Sequence, residues 1–391
     1  MPRILGVIAE YNPFHLGHAH HLKTAREACQ SDYVVVVMSA CFTQRGEAAI
    51  CQPHARARMA LACGADAVLV LPAAWAVRDA EHFALGGVSL LHRLGCDAIS
   101  FGAESADIPL LRGVAHLIEA QDDALRTAVA QHISGGLPYP AAIAAAAEEL
   151  IPGAASLLSQ PNSTLAVCYM RAMIRLGARM EVVPVQRDAT YHATALDNQA
   201  FPSATALRGA ILRGDWRSAE AAMPPDAFAI LREEALQHRL HRPEALDCAL
   251  LARLRTMNAD DYARLPDASE GIEHRLMTAA AASCTREDLL AAAKTRRYPH
   301  ARLSRMATHA LLGFTHDSLA DAALPEPWLL GCRSDAQELI GILSRRTKVF
   351  TRTADLLERP WFAAESLAWD LWALGAGMPA GLARTSRLVT P

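Results

Sequence analysis

One stretch near the amino terminus leaves few folds open. Residues 4–9 form an apolar, β-branched run, the chain then passes through Glu10-Tyr11-Asn12-Pro13-Phe14-His15-Leu16-Gly17-His18, and helical spacing of apolar residues follows as far as Cys29. A strand that turns through a glycine-containing loop into a helix is the first half of a βαβ unit. The pattern recurs. Further strands are expected at Tyr33 to Met38, Ala67 to Leu71, Ala98 to Phe101 and Glu181 to Val185, with helices near Ala55 to Cys63, Ala80 to Leu94 and Thr164 to Leu176. Runs this uniformly apolar suit strands covered on both faces, so the expected fold class is α/β, a doubly wound, Rossmann-like parallel sheet.

A chain of 391 residues exceeds the size at which one core keeps growing, so two domains are expected. The boundary is placed near residue 210. Residues 1–210 read as the α/β domain, with a helical insertion near 107–150 broken at Gly135-Gly136-Leu137-Pro138. Residues 211–391 read as mostly α-helical, punctuated by Pro224-Pro225, Pro243, Pro266 and Pro325, with a short late strand at Val349-Phe350.

A net charge of −3 excludes a polycation that coats nucleic acid indiscriminately, so any RNA contact must be local. The nine cysteines are scattered and never spaced Cys-x-x-Cys, which argues against a disulfide framework or a zinc ribbon. The longest apolar runs fall far short of the roughly 20 residues of a membrane helix. Together with an amino terminus that runs straight into a strand, this makes a reducing cytoplasm the expected location, with no membrane partner.

In open parallel sheets, ligands lie beyond the carboxyl ends of the strands, which puts the Glu10–His18 loop where a nucleotide binds. The embracing residues are expected to be Val7, Ile8, Ala9, Glu10, Tyr11, Asn12, Pro13, Phe14, His15, Leu16, Gly17, His18, Ala19 and His20. Gly17 admits close approach of the backbone, and the helix start offers N–H groups and positive potential to phosphate. His15 and His18, three residues apart, can donate to charge that grows on an α-phosphate and departing pyrophosphate, which is electrostatic catalysis without a covalent intermediate. A capped loop with incidental histidines, or a metal site using His15, His18, His20 and His21, are the competing readings. The phosphate reading is preferred, with no metal ligands assigned.

The run Gly6 to His21 resembles the HIGH signature of adenylyl-transferring enzymes, and more narrowly that of the bacterial tRNA(Met) cytidine acetate ligases. Ser39 to Glu47 is similar to that family's S-G-N-F-x-Q-R-G-E loop, Gly64-Ala65-Asp66 with Leu71-Pro72 to its G-A-D and L-P, and Phe101 to Glu104 to its F-G-S-E. Gln160 to Tyr169, Arg187 with Tyr191-His192, and Ser203 to Arg208 resemble three further segments. Ala40-Cys41 and Gln52-Pro53-His54 depart from the family's Gly-Asn and Asp-Lys-aromatic, so acyl selectivity is not carried over with the nucleotide site.

The resemblance implies that Gly102, Asn162 and Arg187 contact ATP. Read on their own, Gly102 leaves room at the sheet edge or makes a plain turn, Asn162 is placed to cap a helix, and Arg187 ends a strand where a ligand or a surface ion pair would engage it. Ser203, Thr205 and Arg208 open a helix and could hold the β- and γ-phosphates, or simply cap it, while Gln44 and Arg45 follow the second strand on the same edge. In the helical half, Arg296, Arg297, Tyr298, Arg302 and Arg305 gather positive charge around an aromatic ring, which suits tRNA phosphates and a stacked base, or a solvated helix face.

Taken together, the resemblance implies a ligase with ATP as substrate, accompanied by Mg²⁺ and needing no prosthetic group. Acetate and ATP would give acetyl-adenylate, and N4 of the wobble cytidine in elongator tRNA(Met) would take the acetyl group. A small-molecule adenylyltransferase or acyl-adenylate-forming ligase is the first alternative, and a non-catalytic nucleotide-dependent RNA-binding protein the second.

Overall fold

In the first three strands, alternate residues feed two different cores, as a parallel sheet covered on both faces requires. Leu5, Val7, Val34, Val36, Met38, Val68 and Val70 pack into one, and Ile4, Ile8, Val35, Val37, Leu69 and Leu71 into the other. The computed structural model describes residues 2–187, 203–269, 271–295 and 297–391.

The elements run β1 (Ile4–Ala9), α1 (Leu16–Cys29), β2 (Tyr33–Ser39), α2 (Pro53–Ala62), β3 (Ala67–Leu71), α3 (Ala73–Ala76), α4 (Ala80–Leu94) and β4 (Ala98–Ala103). Between β4 and the next strand lie α5 (Ile108–Ala120), α6 (Asp123–Ser134), α7 (Tyr139–Leu150), α8 (Ala154–Leu158) and α9 (Pro161–Leu176), followed by β5 (Glu181–Gln186). The chain then continues through α10 (Ala204–Leu212), α11 (Trp216–Ala222), α12 (Pro225–Leu236), α13 (Asp247–Thr256), α14 (Ala259–Ala263), α15 (Ile272–Ala282), α16 (Arg286–Ala293), α17 (His300–Leu312) and α18 (His316–Ala320). It ends with β6 (Leu329–Cys332), α19 (Glu338–Ser344) and α20 (Pro360–Gly375).

The six strands lie in the order β5-β4-β1-β2-β3-β6, and the doubly wound α/β sheet anticipated from the sequence is present. Strands β1 to β5 are parallel and β6 is antiparallel to β3, with Ala67 opposite Cys332. Strand order reverses at β1, which pairs with β2 on one side and β4 on the other. The crevice between the carboxyl ends of β1 and β4 is thus the topological switch point where such sheets take ligands.

Chain beyond residue 210 returns to this sheet instead of standing apart from it. Strand β6 extends the edge, while Trp369 and Trp372 of α20 are fully buried in the core that β1 and β2 share. The Trp372 indole donates to the Ala49 carbonyl at 2.6 Å. Val349-Phe350, expected as a late strand, contributes only a single bridge between Phe350 and Trp328. The strand that forms instead, Leu329–Cys332, is too short for alternation to announce it.

On the side of the sheet that carries β5, four arginine-carboxylate contacts tie α9 down. Arg171 pairs with Glu81 of α4 at 2.9 Å and Glu119 of α5 at 3.0 Å, and Arg175 reaches the same two acids at 2.6 and 2.5 Å. Their sharing of partners holds the carboxyl-terminal half of α9 against α4 and α5. No helix among the described residues is long and apolar enough to cross a membrane.

Candidate active site

The loop after β1 is built by its own side chains. His15 is the N-cap of α1: its Nδ1 accepts from Gly17 N at 3.1 Å, while His18 Nδ1 accepts from His15 N at 3.3 Å. This is a reciprocal capping box made with imidazoles, and it fixes both tautomers. With each Nδ1 accepting, each neutral ring carries its proton on Nε2. The two rings stack with centroids 3.7 Å apart and 25° between planes.

Burial keeps these rings neutral. It pulls His15 down to about 3, with the Arg187 charge adding to the effect. Burial likewise holds His18 well below the ordinary range, seconded by His15 and Arg187. His15 is fully buried and His18 half-buried, with Tyr11 and Phe14 ringing it at centroid distances of 4.8 and 5.5 Å. His20 is exposed, and His21 is a buried partner of Ser100 Oγ at 2.9 Å. Val7 and Ile8 point into the two cores, so only their backbone could face a ligand, whereas Ala9, Glu10, Leu16, Gly17 and Ala19 are half-buried along the turn. Buried Asn12 accepts from Ile50 N at 2.8 Å, which pins the loop beside Pro13 to the segment after β2.

Across the switch point, Arg187 leaves the end of β5 and lies over Gly102. Its N–H donates to the Ala103 carbonyl at 2.8 Å, and a Cβ at position 102 would sit 2.1 Å from Arg187 Nε. Asn162 is the second residue of α9 and not its cap. Gln160 stands at the cap position but its side chain accepts from Ser163 Oγ and from no helix N–H, and the Glu104 carboxylate caps the helix from outside. Glu104 accepts from Asn162 Nδ2 at 2.7 Å, Ser163 N at 2.8 Å and Ser163 Oγ at 2.9 Å. Burial opposes ionisation of Glu104, but the bonds from Asn162 and Ser163 outweigh it and hold the carboxyl at about 2.

The loop after β2 closes the third side. Gln44 N donates to Glu10 Oε1 at 2.6 Å, Gln44 Nε2 donates to the Arg78 carbonyl at 2.7 Å, and Arg45 is exposed. Burial raises the Glu10 pKa, against the opposing bond from Gln44. Ser203 is the N-cap of α10 and accepts from Ala206 N at 3.1 Å. Arg208 donates to the Asn12 carbonyl at 2.9 Å, Glu47 at 3.0 Å and Thr205 Oγ1 at 3.3 Å, so this guanidinium bridges the two loops.

Of the basic segment, Arg296 lies outside the described residues, as do Tyr191 and His192. Arg297 is exposed, with its guanidinium 6.0 Å from the centroid of half-buried Tyr298. The other two arginines are spent inward: Arg305 is 9% exposed and pairs with Asp267 at 2.9 Å, and Arg302 donates to the Asp267 carbonyl at 2.7 Å. Arg305 is thus neutralised by an acid 38 residues upstream, where local spacing cannot reveal it, whereas half-buried Arg302 is held by a backbone carbonyl.

Sequence reading missed two arginines, Arg56, which is fully buried, and Arg286, which is half-buried. Arg56 of α2 donates to the carbonyls of Glu10, Ser39 and Cys51, and Arg286 of α16 donates to the Gly46 carbonyl at 2.6 Å. Each ties a loop of the site to a helix, and neither stands in a motif that marks it.

The comparisons with known proteins accord with this geometry. A family profile described as HIGH Nucleotidyl Transferase matches residues 2–376. The tRNA(Met) cytidine acetate ligase of Fervidobacterium nodosum is 33% identical over 89% of this chain and 83% of its own. That of Geobacillus sp. (strain WCH70) is 33% identical over 94% of this chain and 93% of its own. This chain belongs to the tRNA(Met) cytidine acetate ligase family. The Thermotoga maritima TmcAL bound with alpha-thio ATP superposes with a TM-score of 0.89 at 26% identity, and its apo form with 0.91 at 27%, each covering 100% of both chains. The family's HIGH loop, its Gln-Arg-Gly-Glu loop and its Phe-Gly-x-Glu strand end thus occupy, in this member, three sides of one crevice.

Proposed function

We propose that this protein is an ATP-dependent ligase that activates acetate as acetyl-adenylate and passes the acetyl group to N4 of the wobble cytidine of elongator tRNA(Met). The observation that carries the reading is the stacked pair of neutral imidazoles, His15 and His18, each with its proton on Nε2, set beside Arg187 at the switch point. Neutral N–H donors and a permanent cation suit a site where an acetate oxygen attacks the α-phosphorus and pyrophosphate departs with its bonding pair. The charge they stabilise is largest in the transition state.

In this reading the ATP ligands are the loop from Val7 to His20 together with Gly102, Asn162 and Arg187. Gln44, Arg45, Ser203, Thr205 and Arg208 line the side on which pyrophosphate leaves. Asn162 would reach the nucleotide while its amide rests on Glu104. Mg²⁺ would enter with ATP and offset triphosphate charge there, and no side chain of this protein is assigned to it. The helical half supplies the tRNA surface around Arg297 and Tyr298. A cytoplasmic location follows from a tRNA substrate.

The deciding experiment incubates the protein with ATP, labelled acetate and total tRNA, then digests the RNA and looks for N4-acetylcytidine. Label in that nucleoside is the expected result. Pyrophosphate release without labelled RNA would move the assignment to a small-molecule adenylate-forming enzyme, and no pyrophosphate release would remove catalysis altogether.

A further inference from the structure

Four buried donors near the carboxyl ends of β1 and β2 have no hydrogen-bond partner among the described residues, Tyr11 OH, Arg56 Nη2, Asn12 Nδ2 and Ser39 Oγ, and the last three belong together. They hang on one frame. Arg56 Nε donates to the Cys51 carbonyl at 3.1 Å, and Arg56 Nη1 to those of Glu10 at 2.6 Å and Ser39 at 3.0 Å. Asn12 is anchored to the same frame through Ile50 N, one residue before Cys51. Arg56 is 0% exposed, Ser39 1% and Asn12 3%.

A guanidinium withdrawn from water is costly unless an anion compensates it. Arg56 forms none of the ion pairs among the described residues; its acceptors are carbonyls. Burial lowers it to about 10, against the nearby Cys41 and Cys51 thiols and the Glu10 carboxyl, which leaves it cationic at neutral pH. Glu10 is itself engaged by Gln44 N. A permanent cation with an unused N–H, an unused amide donor and a hydroxyl match an acceptor-only anion, and a planar carboxylate is the acceptor that arginine fits best.

We propose that Arg56, Asn12 and Ser39 form the subsite that takes the carboxylate of the acyl substrate. The proposal rests on the acetate-activating reading above. Glu10 and Asn12 belong to the loop that ends in His15 and His18, so an acid held here stands on the same loop as the rings assigned to the α-phosphate. The enclosure by fully buried Cys41 and Cys51 favours a short acid such as acetate.

The test measures binding of [1-¹³C]acetate by NMR, without ATP, to the full-length wild type and to the Ser39→Ala and Arg56→Lys variants, alongside ATP affinity and melting temperature. Ser39→Ala removes a hydroxyl that bonds to nothing among the described residues, so the melting temperature is expected to hold while acetate affinity falls about five-fold. Arg56→Lys is expected to cost at least about ten-fold in acetate affinity; because Arg56 also holds the Glu10 carbonyl of the ATP loop, the ATP-affinity control is read in Ser39→Ala. Unchanged acetate affinity in Ser39→Ala overturns the subsite, as does wild type that binds no acetate or a parallel fall in ATP affinity. Acetate binding that weakens as expected in a protein that catalyses no pyrophosphate exchange supports the subsite and sinks the catalytic reading instead.

Discussion

The side chain of Arg187 fills the space that any residue other than glycine would need at position 102, where a Cβ would lie 2.1 Å from Nε and 2.9 Å from Cζ. Gly102→Ala is therefore expected to push Arg187 off the crevice while leaving the β4–β5 pairing intact. If Arg187 contacts ATP, the KM for ATP in pyrophosphate exchange rises about 10- to 100-fold, the loss of one charge-assisted bond. Melting temperature is the control, and an unchanged KM in the folded variant would take Arg187 out of the site.

His18→Ala removes one of the two Nε2 donors and the acceptor for His15 N. Exchange between ATP and pyrophosphate is expected to fall about 10²- to 10³-fold, the usual consequence of deleting a donor to developing negative charge. Circular dichroism separates this from unfolding. Retained exchange would refute the assigned role.

Several imidazoles are buried in the neutral state, with His15 and His21 pulled down by burial to about 3 and His54, His241 and His309 to about 4. Below an unfolded-state pKa near 6.5 the unfolded chain binds protons that the folded chain refuses, so the stability is whole above that pH and is lost as pH falls toward 4. Thermal melts between pH 8 and pH 4.5 are expected to be flat above about 7 and to drop steadily below 6. A melting temperature constant down to pH 5 would mean that these rings are not held neutral.

Gly46 sits at φ +77° with the backbone of α17 against it: a Cβ there would meet the Ser304 oxygen at 2.7 Å and the Arg305 Cα at 2.9 Å. Gly46→Ala is expected to destabilise the fold by about 1–3 kcal/mol, from an unfavourable φ and overpacking against a rigid helix. Urea unfolding measures it. A variant as stable as wild type would show that the contact between the Gln-Arg-Gly-Glu loop and α17 is loose.

The basic segment divides by environment. Reversing exposed Lys294 and Arg297 to glutamate is expected to weaken tRNA binding and flatten its salt dependence by about two counterions, while exchange in the absence of tRNA continues. Arg305→Glu replaces a buried cation with an acid beside half-buried Asp267 and is expected to unfold the local structure, not to report on RNA. Filter binding across a salt series distinguishes the two, and an unaltered slope in the double reversal would move the RNA surface elsewhere.

Strands β1 and β3 and helix α4 were legible to the residue, and the HIGH loop was legible as a strand-to-helix turn at the carboxyl edge of the sheet, because periodicity, a glycine and a helix start are written within a few residues of one another. What those residues could not announce is who meets whom. Glu104 takes over the cap of α9 from 59 residues away, Arg208 clasps a carbonyl 196 residues upstream, and buried Glu365 accepts from Ala73 N across 292 residues. Sequence alone determined the five parallel strands, the helices between them and which side chains could serve phosphate. Only the tertiary structure decided which arginines face the crevice and which are neutralised inside, since burial and charge pairing depend on neighbours that the chain brings together only when it folds.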